Sequence, residues 1–186
     1  MSSAAFSQFG VKAGFALGEP LDDNTSNLFF GFDVGVTYEI SENLRAELLI
    51  ERIARKDVIT LGFFGSFSIK SIIMPITVGA DYRFLTDKIQ PYAGLNVGLY
   101  RFTGKATGQS NSDSYFGLFP KAGVSVEITD NILIDANIKY HLAFNKNDKM
   151  DPANNEGFVN IDGSPIAEQK NTTIFGANVG LIYKFN

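Results

Sequence analysis

Cysteine and tryptophan are absent from the 186 residues, and histidine occurs once. Without cysteine there is no disulfide framework, no thiol nucleophile and no thiolate-held metal. A single histidine leaves only carboxylates to complete a metal site, so neither metal nor cofactor is expected. No run reaches the roughly 18 uninterrupted apolar residues of a membrane-crossing helix. A net charge of −4 offers no basic face to nucleic acid, and none is expected as a partner. The opening Met1-Ser2-Ser3-Ala4-Ala5-Phe6 has neither the basic nor the apolar region of a signal peptide, so an exported form is expected to have lost one. Composition alone, 45% hydrophobic and 19% charged, describes an ordinary soluble domain. Pattern has to decide otherwise.

What is present is alternation with period two, the signature of half-buried strands. Leu28, Phe30, Phe32, Val34, Val36, Tyr38 and Ile40 share one face, opposite Phe29, Gly31, Asp33, Gly35, Thr37 and Glu39. Ile134, Ala136, Ile138, Tyr140, Leu142 and Phe144 oppose Asp135, Asn137, Lys139 and His141. Phe175, Ala177, Val179, Leu181, Tyr183 and Phe185 oppose Gly176, Asn178, Gly180 and Lys184. Eight strands are expected, at 7–18, 27–40, 43–54, 70–84, 88–102, 114–128, 131–145 and 171–185. The third is the weakest, because alternation fails near Arg52. The whole chain reads as one barrel domain, with residues 1–6 as a flexible lead-in.

The connections come in two kinds that take turns. Ser41-Glu42-Asn43-Leu44, Thr86-Asp87-Lys88-Ile89 and Thr129-Asp130-Asn131-Ile132 are near-copies and short. Long polar connections are expected at about 19–26, 55–69, 103–113 and 146–170. Short turns on one rim and long loops on the other are the outer-membrane arrangement, with both termini on the periplasmic side.

A soluble barrel also alternates, with its apolar face inward. Three features favour the opposite sense. Only Arg52 and Arg101 interrupt the apolar face, both near the long-loop rim, where long cationic side chains reach headgroups; a cation at the bilayer midplane would cost roughly 2–4 kcal/mol. The polar face is rich in glycine, which weakens a strand unless the site is crowded. Aromatics gather at both ends of the apolar face: Tyr38, Tyr82, Phe84, Tyr183 and Phe185 at the short-turn end, Phe15, Phe30, Phe116, Tyr140, Phe144 and Phe175 at the other. These are the expected interfacial girdles. The expected fold is therefore an all-β, eight-stranded, antiparallel up-and-down transmembrane barrel.

Eight strands leave an interior just wide enough for side chains to fill. Its charges are Lys12, Arg45, Arg83, Lys121, Lys139 and Lys184 against Asp33, Glu39, Glu47, Glu51, Asp81, Glu127 and Asp135. Near balance suggests pairs that close the lumen, since unpaired buried charge is costly. A selective pore would show one dominant sign.

The segment from Met74 to Phe84, a short turn, then Gln90-Pro91-Tyr92-Ala93-Gly94-Leu95 through Tyr100, resembles the central hairpin of the outer-membrane β-barrel domain family, which includes OmpA-, OmpX- and OmpW-type barrels. Phe9-Gly10-Val11-Lys12-Ala13-Gly14 resembles the first strand of versions common in Bacteroidetes. The resemblance covers nearly the whole chain and implies a bacterial outer-membrane address. It also implies a C-terminal signal for the barrel-assembly machinery, matched here by Val179, Leu181, Tyr183 and Phe185, although Asn186 follows the terminal aromatic.

No catalytic set is legible. His141 lies on the inner phase, and Ala143 stands where a lipid-face deacylase would need serine. The run from Asn145 to Glu156 lacks the spacing of a calcium loop. Gly62-Phe63-Phe64-Gly65-Ser66-Phe67 could meet a partner or lipid from an external loop, or pack on itself. Arg52 and Arg101, with Arg55, Lys56, Lys70 and Lys105, are candidates for contact with lipopolysaccharide phosphates, against ordinary solvation. Three functions stay open: a closed barrel with a structural, adhesive or loop-docking role; a narrow channel for small or hydrophobic solutes; and a lipid-modifying enzyme.

Overall fold

A computed structural model of the chain describes residues 8–21, 28–60, 66–106, 109–144 and 171–185. The lead-in 1–6, most of the aromatic run 62–67, and the run 145–156 lie outside these residues. Eight antiparallel strands, each paired with its sequence neighbours, close into a barrel. They are β1 (Phe9–Pro20), β2 (Phe29–Glu39), β3 (Leu44–Thr60), β4 (Ser66–Arg83), β5 (Ile89–Ala106), β6 (Gln109–Thr129), β7 (Ile132–Phe144) and β8 (Thr172–Lys184). β1 closes the ring on β8, from Gly10 opposite Lys184 to Pro20 opposite Ile174.

The apolar phase faces outward along every strand. Phe15 is 74% exposed, whereas Asp33 and Asp81 are 0% exposed. A surface of exposed Phe, Val, Leu and Ile around a charged interior is the inverse of a soluble barrel, and it suits hydrocarbon outside. At the short-turn rim the outward rings pack in pairs: Phe9 with Tyr38 at 4.9 Å, Tyr82 with Phe84 at 5.6 Å and Tyr183 with Phe185 at 5.1 Å between centroids. At the opposite rim Phe116 stacks on Phe144 at 6.3 Å.

The near-copied turns do matching work. The Ser41 and Thr129 hydroxyls each accept from the backbone N–H three residues on, at 3.1 Å. The Asn43 and Asn131 amides each donate to a carbonyl on the next strand end, Arg83 and Lys184, both at 2.9 Å. A hydroxyl and, two residues on, an amide thus close one hairpin and fasten it to its neighbour.

Two expectations need correction. The sequence places the segments 55–69 and 103–113 in long connections, but most of each is strand. β3 and β4 pair up to Thr60 opposite Ser66, and β5 and β6 up to Ala106 opposite Gln109. β1 likewise continues through Glu19 to Pro20. Polar residues on both faces hide alternation once a strand leaves the membrane, although backbone pairing continues. As a result β3 to β6 run 17 to 21 residues, against 11 to 13 for the other four, and one side of the barrel rises as a four-stranded wall. The weakness near Arg52 has a separate cause: the outward residue there is charged while the next inward residue, Ile53, is apolar and buried, so the polarity of the two phases is exchanged although the β3–β4 register is unchanged from Ile50–Ile76 to Ile53–Ile73.

Inward glycines make room for large inward side chains. A Cβ on Gly117 would stand 2.6 Å from the Tyr100 ring, and one on Gly123 2.8 Å from Tyr92. On Gly94 it would lie 2.2 Å from Asp81 Oδ1, while on Gly104 it would meet nothing within 4 Å. Gly94→Ala is therefore expected to lower the stability of the refolded protein by about 1–3 kcal/mol, and Gly104→Ala to change it by less than about 0.5 kcal/mol, as read from urea midpoints in micelles. Equal effects would mean the interior is loosely filled.

Candidate functional site: the lumen and the outer wall

Charged residues on the inner phase pair both between neighbouring strands and across the bore. Lys12 of β1 bonds Asp135 of β7 at 2.8 Å. Arg45 of β3 bonds Asp81 of β4 at 2.9 Å and reaches to 3.7 Å from Asp135. Lys121 of β6 lies 2.5 Å from Glu47 of β3 and 2.8 Å from Asp81. Lys139 of β7 bonds Glu51 of β3. Arg83 of β4 bonds Glu39 of β2, and Lys184 sits 3.5 Å from Glu127 at the short-turn mouth. Four of these ties join β6 or β7 to β3 or β4 on the far wall. Their side chains are no more than 2% exposed.

Asp135 is the hub. Besides Lys12, its carboxylate accepts from the Tyr92 hydroxyl at 3.1 Å, the Ser125 hydroxyl at 2.7 Å and the Asn137 amide at 3.0 Å. Neutral donors take up the lone pairs that Lys12 and the more distant Arg45 leave open, as a buried carboxylate requires. Tyr92 also faces the Arg45 guanidinium, 5.1 Å from the ring centroid. Like-charged Lys121 and Lys139 face one another across β6 and β7, yet each is turned to its own acids.

Asp33 departs from the expectation of paired charge. It is fully buried, neither oxygen has a hydrogen-bond partner, and its neighbours across the ladders are Gly14 and Glu51. Lys12, two residues from Gly14 on the same inner phase, is committed to Asp135.

His141 is buried, with Nδ1 2.9 Å from the Tyr100 hydroxyl and Nε2 3.7 Å from Glu51 Oε1. Its ring packs against Phe119 at 4.7 Å. It has no route to the lipid face. Among the described residues no group of three or more His, Cys, Asp or Glu side chains is arranged to hold a metal ion.

A second inner layer went unrecognised in the sequence. Towards the outer rim the lumen is apolar: Ala16, Phe29, Leu49, Ile53, Ile73, Tyr100, Phe119, Ala143 and Ile174 form one buried cluster. Apart from Leu49, which lies between Glu47 and Glu51, these residues follow the last charge of the ion-pair network on the inner phase of their strands, and that change of character along the phase was the available signal. Above the cluster, the outer mouth holds a cavity of about 560 Å³ lined by Phe29, Ile73, Phe102, Ser71, Asn111 and Asp113 among others.

Val179, Leu181, Tyr183 and Phe185 all lie outward at the end of β8, 44% to 54% exposed. Arg52 and Arg101 lie outward at the upper edge of the apolar belt, one strand apart from each other across Met74 of β4.

A family model described as outer membrane protein beta-barrel domain matches residues 1–185. The chain belongs to this family. The fold agrees with solved outer-membrane barrels. Neisserial surface protein A is 22% identical with a TM-score of 0.68, covering 95% of this chain and 97% of its own. The attachment invasion locus protein Ail of Yersinia pestis, in complex with the heparin analogue sucrose octasulfate, is 16% identical with a TM-score of 0.63, covering 96% and 99%. OprG of Pseudomonas aeruginosa is 15% identical with a TM-score of 0.55, covering 97% and 96%. No curated protein sequence matches the chain. Family membership makes it an integral outer-membrane barrel protein, with the short-turn rim periplasmic and the tall wall outside.

The pairing pattern sets apart two acids of similar burial. Asp135→Asn removes the charge that holds Lys12 and Arg45 and is expected to cost about 3–5 kcal/mol. Asp33→Asn removes an unpaired buried charge and is expected to be neutral or stabilising. Urea titrations of both variants check this, and a large loss in Asp33→Asn would contradict the assignment of partners.

Proposed function

We propose that this outer-membrane barrel is closed to solutes and non-enzymatic, and that it acts as a structural and docking element through its outer wall and loops. The observation that carries this reading is the set of ties from β6 and β7 to β3 and β4, which fill the bore with nearly unexposed ion pairs. A permeating ion would have to break several buried pairs, each costing several kcal/mol when split. The apolar cluster stacked on top adds a layer that excludes water and ions alike. The balance of signs argues in the same direction, because a conducting lumen selects by an excess of one charge. His141, held between Tyr100 and Glu51 inside the barrel, meets no lipid and supports no reaction on one.

One observation favours a second reading. The mouth cavity has an apolar floor of Phe29 and Ile73 with Phe102 beside it, which suits a small apolar solute entering from outside. In the closed barrel such a solute stops at the cluster. In a channel of the OmpW kind it would pass on.

Conductance of the refolded protein in a planar lipid bilayer separates the two. The closed reading expects no discrete openings above the leak of the empty bilayer. Reproducible openings would make the channel reading the leading one. A side exit towards lipid would conduct poorly, so uptake of a fluorescent apolar solute into proteoliposomes is measured alongside, and no uptake above protein-free vesicles is expected.

A further inference from the structure

The tall wall carries an arrangement of charge that its own strands do not explain. Lys56 of β3 lies directly opposite Lys70 of β4, and Lys70 directly opposite Lys105 of β5. The next position in this row is Ser110 of β6. Cross-strand partners share a face, so three ammonium groups stand side by side on the outward surface, spanning about 10 Å at roughly 4.8 Å per strand. All three residues are exposed. Like charges placed directly opposite each other destabilise a sheet. A row of three persists without loss only where something of opposite charge covers it.

The surroundings sharpen the point. Below the lysine row, the outward positions are Ala54, Ile72, Thr103 and Ser112. Below that come Arg52, Met74, Arg101 and Ser114. Next follows the apolar row Ile50, Ile76, Leu99, Phe116 and Phe144, where the belt begins. The outward positions of the wall above the belt therefore hold five cations and no acid, in a chain with 20 acids against 16 bases. The acids of the wall, Asp57 and Asp113, fall on the inward phase, and Asp57 is held by Arg55 at 2.5 Å. Among the described residues none of the five outward cations has an ion-pair partner. Hydroxyls complete the surface: Ser110, Ser112 and Ser114 alternate along β6, and Ser112 is hydrogen-bonded to Thr103 at 2.9 Å.

We infer that this face of the wall is a binding site for the phosphorylated glycolipid of the outer leaflet, with Arg52 and Arg101 meeting phosphates at the headgroup level and the Lys56–Lys70–Lys105 row meeting phosphates of the saccharide above. The chemistry follows from position. The arginine row borders the apolar belt, so its ligand has acyl chains beside Ile76, Leu99 and Phe116. The lysine row lies four residues further along β5, about 13 Å by strand rise. A ligand that satisfies both is anchored in lipid and carries anionic groups at two heights. Guanidinium forks suit bidentate phosphate contact, and ammonium groups suit point contact with mobile phosphates. The hydroxyls of Thr103 and the β6 serines suit sugar hydroxyls between them. This goes beyond the closed-barrel reading and does not rest on it, because glycolipid binding and conductance are read separately.

The test uses the full chain refolded in micelles, titrated with fluorescent lipopolysaccharide and with the same glycolipid after enzymatic removal of its phosphates. The wild-type protein is expected to bind the phosphorylated form at least 10-fold more tightly than the dephosphorylated one, with affinity falling as salt rises. The triple variant Lys56→Gln, Lys70→Gln, Lys105→Gln is expected to lose about 10-fold towards the phosphorylated form and nothing towards the other. A variant at the periplasmic turn, Lys88→Gln, is expected to bind as wild type. Equal binding of both glycolipids by the wild-type protein overturns the proposal without recourse to any variant. So does wild-type affinity in the triple variant, or equal binding of soluble dextran sulfate, which would mark an unselective anion surface.

Discussion

Within hydrocarbon no water is available to an unpaired amide, so every strand must find partners on both sides. The pairing of β1 with β8 removes the last two edges, and the rest of the structure follows from that closure. Eight strands then set the bore, and the bore admits side chains and little else. Its residues must fill it without voids and without stranded charge. Glycines at 94, 117 and 123 yield space where Asp81, Tyr100 and Tyr92 need it, and cations from one wall meet acids from the other. The outer face answers only to lipid, and it is apolar until the belt ends.

The interior is layered along the barrel axis. Ion pairs occupy the periplasmic and middle levels, and an apolar cluster occupies the outer level. Each layer protects the other's energetics. Buried ion pairs are strongest where water is kept away, and the cluster caps them on the side of the open mouth. Asp33 is the exception, and its position beside Glu51 with glycine on the other flank shows how narrowly the network is drawn around Asp135, Asp81, Glu47 and Glu51.

Much of this was legible in the sequence. Alternation in β2, β7 and β8 contrasts apolar with polar at almost every step, so which face turns outward could be read directly, and the three near-copied turns set the rim. The extensions of β3 to β6 were not legible, because outward Lys56, Lys70 and Lys105 and inward Asp57 and Asp113 are all polar and leave no contrast to read. The set of lumen charges was readable from phase, but their partners were not. Lys12 and Asp135 are 123 residues apart, and only barrel closure decides that they meet. The apolar inner cluster was hidden for a related reason: Phe29, Ile53, Phe119 and Ile174 sit on a phase whose other members are polar, so they read as interruptions rather than as a layer.

The central claim is a lumen that water and ions do not traverse. Because the chain has no cysteine, one introduced residue reports without background. Thr77, 2% exposed on the inner face of β4, is replaced by cysteine, and so, separately, is the exposed Lys105. Each refolded protein is treated with a small charged thiosulfonate reagent in proteoliposomes from which both faces are reached. The account predicts rapid labelling at position 105 and none at position 77 while the barrel is folded. Rapid labelling at position 77 would show an aqueous path through the bore and contradict it.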